Sequence, residues 1–291
     1  SGASGDIVLV GSERPLVLDY RRLAEQLAVP TVRADLADVG VTDVPGLLQN
    51  YIGADAAVNA LKTPAARTIT DDNLLLEFSM PRNLYAPNVP MMDVTLLGPV
   101  REPGTSILKL DGLPADSATA VRARLARYFE GRTLGLAGVM ESIGKNDQGA
   151  TEILERALPL APTDPLIGNY LAQSRNEIGI RLMQGGQESQ ALKEFRRAAG
   201  VGSSIEKALA LNNLGLHAFN QGLVDTAMTY WQRAIDLQPE SPTIRYNLAL
   251  LFEQKGDTPR ALEQYREIVR LTPDSSPALN NMAWLLAQDN A

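Results

Sequence analysis

The sequence has no cysteine and a single histidine, His217, in 291 residues. The first absence excludes disulfides, thiolate metal sites and a cysteine nucleophile. The second excludes any metal centre built on two imidazoles. A histidine-based triad would have to use His217. That residue precedes Ala218 on the first helix of a repeat, which reads as a core or surface histidine and not a catalytic one. We therefore expect no catalytic residue, no metal and no cofactor in this chain. Basic residues are outnumbered, 27 Lys and Arg against 34 Asp and Glu, for a net charge of −7. A nucleic-acid binder would show a basic face, so nucleic acid is not an expected partner. The acidic balance favours solubility and names no partner. No apolar run approaches the roughly 18 residues of a membrane span. What is present is 45% apolar and 21% charged, an ordinary globular composition. The length allows about two domains at roughly 100–200 residues each.

The C-terminal part repeats itself. Ala191, Phe195 and Ala198 mark one helix face, and Ala227, Trp231 and Ala234 mark the next, with Pro239 following. Ala261, Tyr265, Ile268 and Pro273 repeat the pattern, and Ala150, Leu154, Ala157 and Pro162 give a fainter copy. The first alanines stand 34 residues apart from Ala227 to Ala261 and 36 apart from Ala191 to Ala227. From Ala150 to Ala191 the interval is 41, so that unit is lengthened. Each marked helix follows a partner helix with a small residue at an equal place: Ile178-Gly179, Leu214-Gly215, Leu248-Ala249 and Met282-Ala283. Small residues let two helices approach closely. Gly186, Gly222 and Gly256 sit at the intervening turns, where a left-handed residue ends the first helix.

This pattern resembles the tetratricopeptide repeat, a helix–turn–helix unit of 34 residues that stacks into a superhelix. The resemblance is clear over 172–275 and weak over 114–171, and 276–291 supply only the first helix of a further unit. A chain ending there leaves an apolar face uncapped. We therefore expect the natural chain to continue beyond Ala291, and the opening Ser1-Gly2-Ala3-Ser4-Gly5 reads as a cut inside a longer protein.

Residues 1–113 read differently. Ile7–Val10 reads as a buried strand and Leu74–Phe78 as a second. Residues 16–28, 33–39, 44–52 and 54–62 read as short helices, separated by Pro30, Gly40, Pro45 and Gly53. Val94–Leu97 and Ser106–Leu110 flank Pro103-Gly104 as in a hairpin, although 88–98 also suits a helix. So few strands do not make a stable sheet alone. The expected fold is mainly α: a helical repeat array over 114–291, preceded by a small α/β segment over 1–113.

Two stretches of that segment, Gly5-Asp6-Ile7-Val8-Leu9-Val10-Gly11-Ser12 and Thr70-Asp71-Asp72-Asn73-Leu74-Leu75-Leu76-Glu77-Phe78 with Pro81-Arg82-Asn83-Leu84-Tyr85, are similar to the tail of the spermidine-synthase-like domain of large bacterial proteins. Proline is more frequent in that family where Leu74 stands. The resemblance implies the end of a doubly wound sheet, a nucleotide site upstream of Ser1, and a parent at the bacterial inner membrane with a transporter-like N-terminal part. It implies that an aminopropyl transfer would need a glycine-rich strand–turn–helix, which Gly11-Ser12-Glu13-Arg14-Pro15 does not supply. Asp71, Asp72 and Glu77 either flank an amine substrate in the intact parent or belong to a turn in which Asp71 or Asp72 caps backbone amides.

In such repeats, fixed positions of each first helix line an inner groove. Here they include Asn176 and Ile180, then Asn212, Leu216 and Phe219, then Tyr246 and Leu250, and last Asn280 and Trp284. No lysine or arginine stands among the groove positions, so an acidic chain end is not the expected ligand. Ile180, Leu216, Leu250 and Trp284 form an apolar stripe, and Asn176, Asn212 and Asn280 an amide ladder able to hold an extended backbone. A segment of the protein itself could fill the groove equally well. Two functions from different classes follow: a non-catalytic scaffold that binds a protein or peptide, and the C-terminal part of a polyamine aminopropyltransferase-like enzyme. The first is expected of these residues. Oligomeric state and localisation are not legible.

Overall fold

Helix boundaries in the computed structural model, which describes residues 17–37, 41–48, 105 and 107–289, follow capping chemistry. The architecture is mainly helical. Strand β1 (Leu18–Asp19) leads into α1 (Tyr20–Ala28), and α2 (Pro30–Ala37) and α3 (Val44–Leu48) follow. Strand β2 (Leu108–Lys109) precedes α4 (Ala115–Ile143) and α5 (Asp147–Ala157). Then come α6 (Pro165–Gln184), α7 (Glu188–Ala198), α8 (Ser204–Asn220), α9 (Val224–Leu237), α10 (Pro242–Gln254), α11 (Thr258–Leu271) and α12 (Ser276–Asp289). The chain divides into two compact units, Ser1–Ile167 and Gly168–Ala291.

In the first unit, Asp19 accepts a hydrogen bond from the Arg22 amide at 3.1 Å. That cap starts α1 at Tyr20, so the two residues before it are extended and not helical as expected. β1 pairs with β2 in parallel, Leu18 opposite Leu108 and Asp19 opposite Lys109. The hairpin expected across Pro103-Gly104 is thus not how 108–109 are paired among the described residues. A tight turn yields antiparallel strands, whereas a parallel pair needs a long connection. The proposed partner 94–97 lies outside the described residues, as do the strands at 7–10 and 74–78 and the helix at 54–62. Val44 and Leu48 of α3, Ile107, Leu108 and Leu110, and Ala118, Val121 and Leu125 of α4 form one buried cluster. Asp43 ties it together: its carboxylate accepts from the Gly46 amide at 2.7 Å and pairs with Arg124 of α4 at 2.5 Å.

One register recurs in four helix pairs, α4–α5, α6–α7, α8–α9 and α10–α11. The residues are Gly138, Ala150, Leu154 and Ala157; Gly179, Ala191, Phe195 and Ala198; Gly215, Ala227, Trp231 and Ala234; and Ala249, Ala261, Tyr265 and Ile268. All are buried. A Cβ built on Gly215 would lie 2.5 Å from Trp231 Nε1, and one on Gly138 would lie 2.6 Å from Leu154 Cγ. The small residue therefore sets the helix-to-helix distance. The turns are alike too. Gly186, Gly222 and Gly256 have φ of 72°, 71° and 71°. Around each, the next residue donates back five positions, as Gln187 does to Leu182, Leu223 to Ala218 and Asp257 to Phe252. That is the bond of a glycine-terminated helix end.

In the second unit, these pairs stack into a continuous core from Ala191 to Leu285, built on Phe195, Trp231 and Tyr265. Neighbouring units are bonded at the repeat spacing, as where the Ser203 amide donates to Asn169 Oδ1 at 2.7 Å.

Candidate functional site

The candidate site is the series of expected groove positions along α6, α8, α10 and α12. Its apolar members differ in exposure. Leu216 is 43% exposed and Trp284 55%, and Leu209 on the same face is 51% exposed. Ile180, Phe219, Tyr246 and Leu250 are half-buried. Phe219 owes its position to Trp231, whose ring lies 5.5 Å away at 47°. Leu209 and Leu216 stand out from the same helix as Ile205, which is 42% exposed, whereas Leu211 and Leu214 between them are only 2% and 3% exposed.

The three asparagines are not equivalent. Asn280 is exposed. Asn176 is buried, 6% exposed, and neither end of its amide has a hydrogen-bond partner. Asn212 is half-buried; its side-chain oxygen accepts from Asn247 Nδ2 at 2.7 Å and its carbonyl accepts from Trp231 Nε1 at 3.3 Å. Two of the three are thus set into the framework, and Asn280 stands at the surface.

A polar cluster next to this face was not anticipated. Asn281 Nδ2 donates to the Tyr265 hydroxyl at 2.8 Å and to the Tyr246 hydroxyl at 3.3 Å. The Tyr265 hydroxyl in turn donates to the Glu253 carboxylate. The Tyr246 and Tyr265 rings meet edge to face at 5.9 Å. Burial raises the Tyr265 phenol well above its ordinary value, and its bond to the Glu253 carboxylate raises it further. The phenol therefore stays a neutral donor. The signal was present in the sequence: Asn212 to Asn247 and Tyr246 to Asn281 are each 35 residues apart, one beyond the repeat period. That offset joins a residue of one unit to its neighbour in the next.

On the opposite side of α10 lies an open cleft of about 610 Å³, lined by Asp236, Pro239, Arg245, Phe252, Arg260 and Gln264 among others. Its cations are already engaged. Arg245 donates to the Pro239 carbonyl at 2.7 and 3.0 Å and to Gln264 at 2.9 Å. Arg260 pairs with Asp257 at 2.5 Å and stacks 4.8 Å from the Phe252 ring centre. These arginines hold helices together and leave the cleft a poor anion site.

Among the described residues no group of three or more His, Cys, Asp or Glu could hold a metal ion. No described helix is long and apolar enough to cross a membrane. Asp71, Asp72 and Glu77, and the synthase-like stretches 5–12 and 70–85, lie outside the described residues.

The tetratricopeptide-repeat family model matches residues 176–242 and 213–276. The chain carries tetratricopeptide repeats over that span. Curated relatives are similar over the same region. The photosystem I assembly protein Ycf3 of Cyanophora paradoxa is 34% identical over 87 residues, which cover 28% of this chain and 50% of that protein. Ycf3 of Synechococcus sp. (strain WH7803) is 25% identical over 122 residues, 37% of this chain and 69% of that one. The chain thus spans only half of the first relative. Among solved structures, MamA is similar at 20% identity, covering 53% of this chain and 84% of MamA, with a TM-score of 0.38.

Proposed function

We propose that the chain is a protein-interaction scaffold whose repeats bind an extended peptide or partner segment along Asn176, Ile180, Asn212, Leu216, Phe219, Tyr246, Leu250, Asn280 and Trp284. The observation that carries this reading is that Leu209 and Leu216 are both exposed on a helix whose Leu211 and Leu214 are buried in the core. Apolar side chains held out by a rigid framework are what a partner buries. Asn280 adds an exposed amide that can bond a peptide backbone. The relatives named as photosystem I assembly proteins support a role in holding partners during assembly of a larger complex.

The test is a screen of extended peptides against the full chain, followed by titration of the hits. Leu216→Glu should weaken a genuine groove ligand by about tenfold or more, because a carboxylate would be buried against it. Its circular dichroism should be unchanged, since residue 216 is exposed. Unaltered affinity would show that the groove assignment is wrong. Asn212→Ala should also weaken the ligand, together with some loss of stability through Asn247.

A second reading rests on the synthase-like stretches. It predicts aminopropyl transfer from decarboxylated S-adenosylmethionine to putrescine by a protein bearing the whole synthase-like domain. Residues 1–291 alone should show none, and an inactive, folded, complete protein would remove this reading.

A further inference from the structure

We infer that the groove selects a ligand with a basic residue beside apolar ones, and that Glu253 makes the selection. This rests on the groove reading above and names the chemistry of its ligand. The repeat register isolates the residue. Four positions after the small pairing residue, α6 carries Met183, α8 carries Phe219 and α12 carries Ala287, whereas α10 carries Glu253. The change extends to the paired helix. Between α8 and α9 the Phe219 ring meets the Trp231 ring at 5.5 Å. Between α10 and α11 the same two places hold Glu253 and Tyr265, and the Tyr265 hydroxyl donates to Glu253 Oε1. An apolar contact is replaced by a held carboxylate.

Glu253 follows Tyr246 and Leu250 by seven and three residues, along one side of α10. Tyr265 reaches through from α11, and its hydroxyl also accepts from Asn281 of α12 at 2.8 Å. That hydroxyl joins α10 to α12, so the carboxylate is fixed at the seam between two successive first helices.

Its charge is not neutralised. Glu253 is half-buried, and among the described residues it takes part in no ion pair. The cations next to it along the chain are engaged elsewhere, Lys255 with Asp225 at 2.9 Å and Arg260 with Asp257 at 2.5 Å. One oxygen accepts from Tyr265, and no hydrogen bond from a described residue reaches the other. A carboxylate has room for about four hydrogen bonds. The bond to Tyr265 does not require the charge, because an amide oxygen would accept as well. An ammonium or guanidinium would use it, since charge-assisted bonds are stronger than neutral ones. With Leu216 exposed on α8 and Leu250 half-buried on α10, the ligand is a segment in which lysine or arginine stands next to apolar residues. An acidic segment is disfavoured by the same carboxylate.

The test uses the full chain and fluorescein-labelled extended peptides of alternating leucine and serine. They differ at a single central position, which is lysine, glutamine or glutamate. Anisotropy should rank their affinities in that order, with the lysine peptide about tenfold tighter than the glutamate peptide. Added salt should narrow the gap. Glu253→Gln should erase the ranking and leave the melting temperature unchanged, since the amide still accepts from Tyr265. Glu253→Lys should reverse the order. A ranking that survives Glu253→Gln would overturn the inference. So would equal binding of the three peptides by the unaltered chain, a comparison that depends on no variant folding. In either case, weakening of all three peptides by Leu216→Glu would leave the groove itself standing. If no peptide saturates the folded chain, or Leu216→Glu changes nothing, the groove reading fails and this inference fails with it.

Discussion

Lys145 has φ of 64°, while Gly186, Gly222 and Gly256 occupy the same place in the other turns. The backbone bonding is shared: the Asn146 amide donates to the Glu141 carbonyl at 2.9 Å, five residues back. A side chain in this region costs about 1–2 kcal/mol, because Cβ crowds the following carbonyl. Lys145→Gly should therefore stabilise the first unit by about 1 kcal/mol, the strain relief exceeding the extra freedom of the unfolded chain. Urea denaturation followed by circular dichroism would measure it, and a destabilised variant would mean the strain is absent. Gly215 is constrained for a different reason. Its neighbour Trp231 occupies the space a Cβ would need. The same residue type is required once by dihedral angle and once by contact.

At the scale of an element, α11 shows how a helix start stores pH sensitivity. Asp257 caps it by accepting from the Arg260 amide at 3.2 Å, and its other oxygen meets the Arg260 guanidinium at 2.5 Å. The guanidinium bond foremost, and then the amide bond, hold the Asp257 carboxyl below its ordinary value of 3.8. A depressed folded-state value means that the stabilisation is present above the ordinary value. It is lost as pH falls through the folded one. Thermal melts between pH 5 and pH 2 should show part of the acid destabilisation removed by Asp257→Ala, and the neutral-pH melting temperature lowered. An acid profile identical to that of the unaltered chain would rule out this role. Solvent screening keeps both effects small.

In the second unit as a whole, stability is a chain of neighbour contacts. Asn281 is one link, since it bonds Tyr246 and Tyr265 from α12. Asn281→Ala would remove two hydrogen bonds and leave the Tyr265 hydroxyl still bonded to Glu253. The expected loss is about 1–2 kcal/mol, typical of bonds whose remaining partner stays satisfied. Hydrogen exchange should locate it: amides of α12 should open faster, while those of α8 should be little changed. Uniform acceleration across the unit would show that the array unfolds as a single block.

The helices and their pairing were legible because each pair repeats the same small residue, turn glycine and large residue at fixed offsets. Ala150, Leu154 and Ala157 make only a faint copy in sequence, yet α4 and α5 pack in the same register. Gly138 was the missing marker, hidden among Gly131 and Gly135 in a helix too long to look like a repeat. The groove positions were legible as a face but not as chemistry. Sequence spacing treats Asn176, Asn212 and Asn280 alike, whereas only packing decides that the first is enclosed, the second bonded to Asn247 and the third exposed. The parallel pairing of Leu18–Asp19 with Leu108–Lys109 was equally beyond local pattern, since it joins residues about 90 apart. Periodicity along a chain determines which elements form and which faces they bury, because those depend on near neighbours. Which polar groups find partners depends on residues a full repeat or more away, and that is settled only when the helices stack.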